Sequence, residues 1–416
     1  MRAIEPTDPS QNSIGPRVSP AQASPSGPRY PVLDGLRGFA AVGVALIHYL
    51  YGPARKLPWL DRAMNVLEKS PLSIDMFFIL SGFLIGGILL RSRNSPDYYR
   101  TFYRRRFYRI LPLYYAWIAF FAILYFVGQG WGLDPPQSYS GAFYLLSFAF
   151  LFQNFFPAII ESTFIVAPTW TLVVEEHFYL LAPLCVRRMS GRRLIQSLFA
   201  VILVAPIFRA VLFKYIGHRS DWADIATRIW PPCRADALAM GVLLAVIWSS
   251  EKARAWVQKH LALFTWGMFV SSGFAVLIAW MAGANFHFCR FLNVSLGRSA
   301  VEFACFCLIV YLICRPHSGF GRFLSSPVMR EMGKISYCLY VIHWGVFWII
   351  FRFVLHARFG ERMWVDFLII PIALLISIGI AQLSWKYFEY PLLQRAHRVP
   401  PPVPVTAIPG QQAQIA

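Results

Sequence analysis

The sequence predicts an all-α protein: a polytopic membrane helix bundle of about ten transmembrane helices, with one further re-entrant or interfacial helix. Three observations carry that expectation. Hydrophobic residues make up 57% of the 416 residues and charged residues only 14%, with a mean hydropathy of +0.50; a soluble domain carries about 25% charged residues. Apolar runs long enough to cross a bilayer recur along most of the chain. Arginine and lysine gather at the ends of those runs, where charge sets the orientation of membrane helices.

The elements follow in order. Residues 1–30 are rich in Pro, Ser, Gln and Ala and lack the apolar core of a signal peptide, so they read as a disordered tail. Spans are expected near 36–52, 72–90 and 108–127. Between the last two, segment 91–109 holds seven arginines against the single acid Asp97, which places it in the cytoplasm. Segment 128–140 has no Lys or Arg and should face outward. The apolar stretch 141–158 is broken by Gln153, Asn154 and Pro157. If it and 170–186 both crossed, the cluster Arg187, Arg188, Arg192, Arg193 would lie outside, so 141–158 is demoted to the re-entrant or interfacial helix. Further spans follow near 194–213, 236–249, 261–281, 299–314, 334–353 and 365–385, and both termini are then cytoplasmic. A second Pro-rich disordered tail covers 394–416.

Net charge is +19. It suits topology control, contact with anionic membrane lipids or a phosphorylated ligand. Nucleic acid is not an expected partner, because no basic soluble domain stands apart from the spans. The seven cysteines (185, 233, 289, 305, 307, 314 and 338) fall mostly in apolar segments and read as reduced thiols, with Cys233 and Cys289 as a conceivable pair. Cys305 and Cys307 have no His or Asp beside them, so no metal site is expected.

Candidate chemistry begins with Arg37 and His48, which share the first span with ten residues between them. On a helix His48 then lies roughly 16 Å beyond Arg37. Ionisable groups at such depth are costly and carry a functional hypothesis. His48 reads either as a packed residue bonded to a backbone carbonyl or as a neutral base that takes a hydroxyl proton. Glu175 and Glu176 interrupt the helix that starts at Trp170. One of them, with Glu175 preferred, either orients His48 as a triad acid does or pairs with an arginine of another span. Arg106 and Arg109 share a helix face at i, i+3 and suit bidentate phosphate binding, or else topology and lipid contact. Asp34 shapes the start of the first span, Asp75 introduces a helix, and Ser81-Gly82 permits close helix packing. A local salt link is the plain reading of Arg234 and Asp236. With Glu302, His343 and Glu389 these residues describe a polar interior inside an apolar bundle.

Seven segments in this order resemble the acyltransferase 3 family of integral membrane O-acyltransferases. They are Leu33-Asp34-Gly35-Leu36-Arg37-Gly38 with His48; Asp75 through Phe83; Arg106-Phe-Tyr-Arg109-Ile-Leu-Pro112; Trp170 through Tyr179; Arg234 through Gly241; Ser336 through His343; and Phe388-Glu389-Tyr-Pro391. The resemblance covers about residues 31–393 and implies a membrane domain that moves an acyl group, often acetyl from acetyl-CoA, onto a hydroxyl. Its Arg-X10-His motif falls on Arg37 and His48, its Arg-X-X-Arg motif on Arg106 and Arg109, and its Trp and Glu on Trp170 and Glu175. His177 stands where Gln is frequent and Thr171 where Ser is common. The implied reaction is acyl-CoA-dependent O-acylation in a cytoplasmic (inner) membrane, without metal, with His48 as base, Glu175 as its partner, and Arg37, Arg106 and Arg109 on the donor's phosphates. Acceptors in the family are carbohydrates, glycolipids or lipophilic small molecules such as macrolide antibiotics. A proton-coupled transporter or flippase is the competing reading, since buried His, Glu and Arg mark such proteins too.

Overall fold

The computed structural model describes residues 30–69, 72–127, 140–156, 159, 165–216, 222–283, 287–356 and 363–397. Among the described residues all regular structure is helical. In chain order the helices are α1 (Pro31–Ala54), α2 (Pro58–Lys69), α3 (Leu72–Ser92), α4 (Tyr98–Val127), α5 (Gly141–Ala149), α6 (Trp170–Arg188), α7 (Gly191–Ile216), α8 (Trp222–Ile229) and α9 (Ala235–Ser249). They continue with α10 (Glu251–Lys259), α11 (Leu261–Gly283), α12 (His287–Leu292), α13 (Arg298–Cys314), α14 (Gly319–Leu324), α15 (Pro327–Ile349), α16 (Met363–Ser384) and α17 (Tyr390–His397). The predicted tail 1–30 lies outside the described residues except for Tyr30, whereas α17 continues four residues into the segment assigned to the second tail.

Nine helical segments among the described residues are long and apolar enough to cross a bilayer, and they coincide with nine of the ten expected spans. The tenth, α6, has 19 residues but carries Glu175, Glu176, Arg187 and Arg188, too many charges to qualify on composition. Geometry decides its status. Gly38 packs on Gly333, and His48 meets His343, so α1 and α15 run parallel in one register. Two parallel spans need an odd number of crossings between them. Without α6 the qualifying segments between them number six; with it they number seven. α6 therefore crosses, and the neighbouring pairs agree. It runs antiparallel to α4, where Tyr98 and Tyr103 donate to the carbonyls of Pro183 and Leu180.

Helix α5 has nine residues, about 13 Å of rise, too short to span an apolar layer of about 30 Å. The chain leaves it through Leu151, whose φ of 60° is left-handed, into the turn Gln153–Phe155. Here the polar interruption has its cause. Asn154 Nδ2 donates to the carbonyls of Trp170 (2.8 Å) and Ile229 (2.7 Å), and Gln153 Nε2 to Tyr114 Oη and Thr169 Oγ1 (3.3 Å each). Both side chains are fully buried, so the two amides satisfy backbone and hydroxyl groups that lipid could not.

Glycine sets the closest approach in the core. A Cβ on Gly35 would collide with the Leu324 carbonyl and one on Gly333 with that of Asp34, while one on Gly38 would lie 2.6 Å from Gly333 N and from Met329 O. On the opposite side Gly82 of α3 packs against Gly241 of α9. The Ser81-Gly82 step is thus a close-packing step, as its small residues predict. All seven cysteines are free, so Cys233 and Cys289 do not pair.

Candidate active site

Four helices, α1, α3, α6 and α15, line a partly open cavity. Arg37 lines it from α1; Ile74, Phe77 and Phe78 from α3; Thr171, Leu172 and Glu175 from α6; and Ser336, Tyr337 and Tyr340 from α15. Among the described residues Arg37 and Glu175 are its only charged lining groups. Ser326 starts α15 by accepting a hydrogen bond from Met329 N, with Pro327 in the first turn, where its missing N–H costs nothing.

Around Glu175 the structure gathers the basic residues that the sequence singled out. Its carboxylate accepts a 2.6 Å hydrogen bond from Tyr179 Oη, one helical turn on. That hydroxyl's proton is thereby committed, so Ser81 Oγ, 2.8 Å away, is the donor in its bond to Tyr179. The charges acting on Glu175 are those of Arg37, Arg106 and Arg109. Arg106 lies 5.7 Å over the Tyr179 ring, and its Nε is buried with no hydrogen-bond partner among the described residues. The charge of Arg106 also acts on Glu176, whose Oε1 is buried without a hydrogen-bond partner among the described residues. Arg109 acts on Glu389, which the π-helical turn Trp385–Glu389 presents and Ser384 Oγ bonds at 3.0 Å.

His48 belongs to a second group, farther along α1. Its Nδ1 lies 2.8 Å from His343 Nε2. With ring centroids 5.1 Å apart and planes 1° from parallel, the imidazoles meet edge to edge in one plane. His343 Nδ1 in turn lies 2.7 Å from the Tyr340 carbonyl. Tyr49 Oη donates to the His343 carbonyl (2.8 Å) and sits 3.0 Å from Ser377 Oγ. The partner bonded to His48 is therefore His343, and the group bonded to Glu175 is Tyr179. Among the described residues no hydrogen bond joins Glu175 to His48; Glu175 lies with Tyr179 and the arginine charges, the other alternative that the sequence left open.

Tyr340 joins the two groups. It lines the cavity, its hydroxyl accepts from Thr171 Oγ1 at 3.0 Å, and its carbonyl holds His343. Trp170 starts α6 with its ring 6.1 Å from Phe78, a lining residue. Asp34 is exposed at the start of α1, where its charge acts on Arg37.

Asp75, Arg234 and Asp236 belong to a third group. Arg234 pairs with Asp75, and Arg209 with Asp236 at 2.8 Å. The expected salt link between Arg234 and Asp236 gives way to these two pairs. Glu302 Oε1 lies 3.8 Å from both Arg209 and Arg234, and Arg298 donates to the Thr227 carbonyl beside them. Sequence reasoning missed Arg209, Arg298 and Tyr179. The i, i+4 spacing of Glu175 and Tyr179 was the available signal for the last. Among the described residues no three or more His, Cys, Asp or Glu side chains form a metal-binding set.

The family model described as an acyltransferase domain matches residues 30–385. The chain belongs to the acyltransferase 3 family. Curated relatives of this family member include the O-acetyltransferase OatA of Staphylococcus aureus (strain NCTC 8325 / PS 47), 25% identical over 400 residues that cover 89% of this chain and 58% of that protein. The putative peptidoglycan O-acetyltransferase YrhL of Bacillus subtilis (strain 168) is 24% identical over 390 residues, 88% of this chain and 55% of YrhL. A putative O-acetyltransferase of Staphylococcus aureus (strain COL), SACOL0978, is 23% identical over 389 residues, 87% and 57% of the two chains. The acyltransferase 3 chain described here thus spans a little over half the length of these relatives. No solved structure matches it.

Proposed function

We propose that this protein is a membrane O-acyltransferase that moves an acyl group, acetyl above all, from acyl-CoA to a hydroxyl of a carbohydrate or glycolipid acceptor. The observation that carries the reading is the pairing of an anion-ready end with a base. Arg37 and Glu175 line the cavity, the charges of Arg106 and Arg109 also act on Glu175, and His48 lies roughly 16 Å beyond Arg37 along α1. A donor whose phosphates and thioester sit at opposite ends of a long arm fits that separation. The unpartnered Arg106 Nε is a donor awaiting an anionic group. The relatives named as O-acetyltransferases, one of them a putative peptidoglycan O-acetyltransferase, support acetyl as the group and a glycan as the acceptor.

In this reading the acceptor oxygen loses its proton to His48 and attacks the thioester carbonyl. The C–S bond breaks, and the proton passes from His48 to the departing CoA thiolate. Glu175, with Tyr179, holds the arginines in place for the phosphates. The protein sits in the cytoplasmic membrane with the arginine-rich end of α4 and both termini inside. Acetyl-CoA turnover by the protein in lipid nanodiscs, with membrane extract as acceptor, tests the reading. His48→Ala should lose about 10²- to 10⁴-fold in rate while still binding CoA. Equal turnover in both proteins would remove His48 from the chemistry, and absence of CoA binding would favour transport.

A further inference from the structure

The hydrogen-bond inventory around His343 carries one step more. A carbonyl oxygen only accepts, so the 2.7 Å contact with Tyr340 O requires a proton on His343 Nδ1. His343 is fully buried, and no carboxylate is among its hydrogen-bond partners. A charged imidazolium at that place would be an uncompensated cation, so the ring is neutral and its Nε2 is bare. The 2.8 Å contact then has one solution: His48 Nδ1 carries the proton and donates it to His343 Nε2. The remaining nitrogen of His48, Nε2, holds the free lone pair.

We propose that His343 is the positioning residue of the reaction, fixing His48 as its Nδ1–H tautomer and in one ring plane so that Nε2 faces the acceptor hydroxyl. This deepens the reading of His48 as the base. It also changes which residue serves as the base's partner, since the usual carboxylate of a triad is replaced by a second imidazole. The replacement has a physical reason. A neutral acceptor fixes the tautomer without adding a charge to the apolar layer. His343 is itself held at two points, by Tyr340 O at the ring and by Tyr49 Oη at its carbonyl, with Phe347 stacked 4.4 Å from the Tyr49 ring. During turnover His48 Nε2 takes the hydroxyl proton while Nδ1–H stays bonded to His343, and Nε2 later returns that proton to the CoA thiolate. His343 gains and loses nothing.

Two measurements test it, and they separate this inference from the reading it rests on. In the first, kcat and KM are compared for wild type, His343→Leu and His343→Gln in nanodiscs. Leu removes the acceptor; the Gln Oε1 restores one at similar reach. Loss of kcat by about 10²-fold or more in His343→Leu, at unchanged acetyl-CoA KM and with recovery to within about tenfold of wild type in His343→Gln, is expected. Full kcat in His343→Leu would overturn the inference and leave His48 as base; equal losses in both variants, or a changed KM alone, would also overturn it. The second is solid-state NMR of the histidine-labelled protein in lipid, the His48 signals being identified by their loss in His48→Gln. Carbon and nitrogen shifts of the Nδ1–H tautomer in wild type, giving way to the Nε2–H form or a mixture in His343→Leu, support the inference whether or not turnover is seen. An Nε2–H His48 in wild type would overturn it.

Discussion

Removing Asp75 tests how the buried charges of α3, α7, α9 and α13 hold the bundle. Asp75, Asp236 and Glu302 stand against Arg209, Arg234 and Arg298, and no member of either set exceeds 5% exposure. Three carboxylates thus face three guanidiniums. Asp75→Leu leaves two acids for three cations. The acid nearest Arg234 is then Glu302 at 3.8 Å, which Arg209 shares at the same distance. At an effective dielectric of about 20, a pair at that distance is worth about 4 kcal/mol, and here it is divided between two cations. The variant should therefore lose about 3–5 kcal/mol, the cost of leaving a buried charge without its partner. The double variant Asp75→Leu/Arg234→Met restores the balance at two against two and should recover most of that loss. Reversible unfolding in mixed micelles, titrated with SDS, gives both numbers. A loss below about 1 kcal/mol for Asp75→Leu, or a double variant no more stable than the single, would refute the idea of one charge-balanced cluster.

Two further outcomes follow from the packing. In Gly38→Ala the new methyl would lie 2.6 Å from Gly333 N and Met329 O, about 0.8 Å inside ordinary contact, so α1 and α15 must separate. Because the His48–His343 bond of 2.8 Å spans the same pair of helices, turnover should fall with it, while Gly273→Ala, whose methyl meets nothing within 4 Å, should be indistinguishable from wild type. Tyr179→Phe removes the link between Ser81 and Glu175. It should cost about 1.5–3 kcal/mol in donor binding, read as a roughly tenfold or larger rise in acetyl-CoA KM with kcat less affected; an unchanged KM would detach Glu175 from the donor end.

The spans were legible because membrane crossing is written in local composition, and Gln153 and Asn154 marked the short helix for the same reason. The polar residues were visible one by one; their partners were not. His48 and His343 are 295 positions apart, and only the parallel register of α1 and α15 brings them together. Arg234 and Asp236 illustrate the opposite error. Two residues apart in sequence, they look like a pair, but residues at i and i+2 do not face each other on a helix. Arg234, in the turn just before α9, reaches back to α3, and Asp236 reaches across to α7. For Glu175 the sequence left two partners open, His48 or an arginine of another span, and only tertiary structure shows the arginine charges acting on it. Its i+4 neighbour Tyr179 was a local clue, whereas the direction of its face relative to α4 was not.

Burial alone would not have sorted these residues into roles. The cluster of Arg209, Arg234, Arg298, Asp75, Asp236 and Glu302 is more deeply buried than Arg37 or Glu175, yet none of its members lines the cavity. It balances its charges internally and ties four helices, which is what a structural node in an apolar layer must do. Arg37 and Glu175 do the reverse. They line open space, which no member of the cluster does. The histidine pair is a third kind: among the described residues every ring nitrogen except His48 Nε2 has a hydrogen-bond partner. On the function proposed above, that one unspent lone pair, held in a fixed plane by a neutral neighbour, is what makes His48 a base and not a packed histidine.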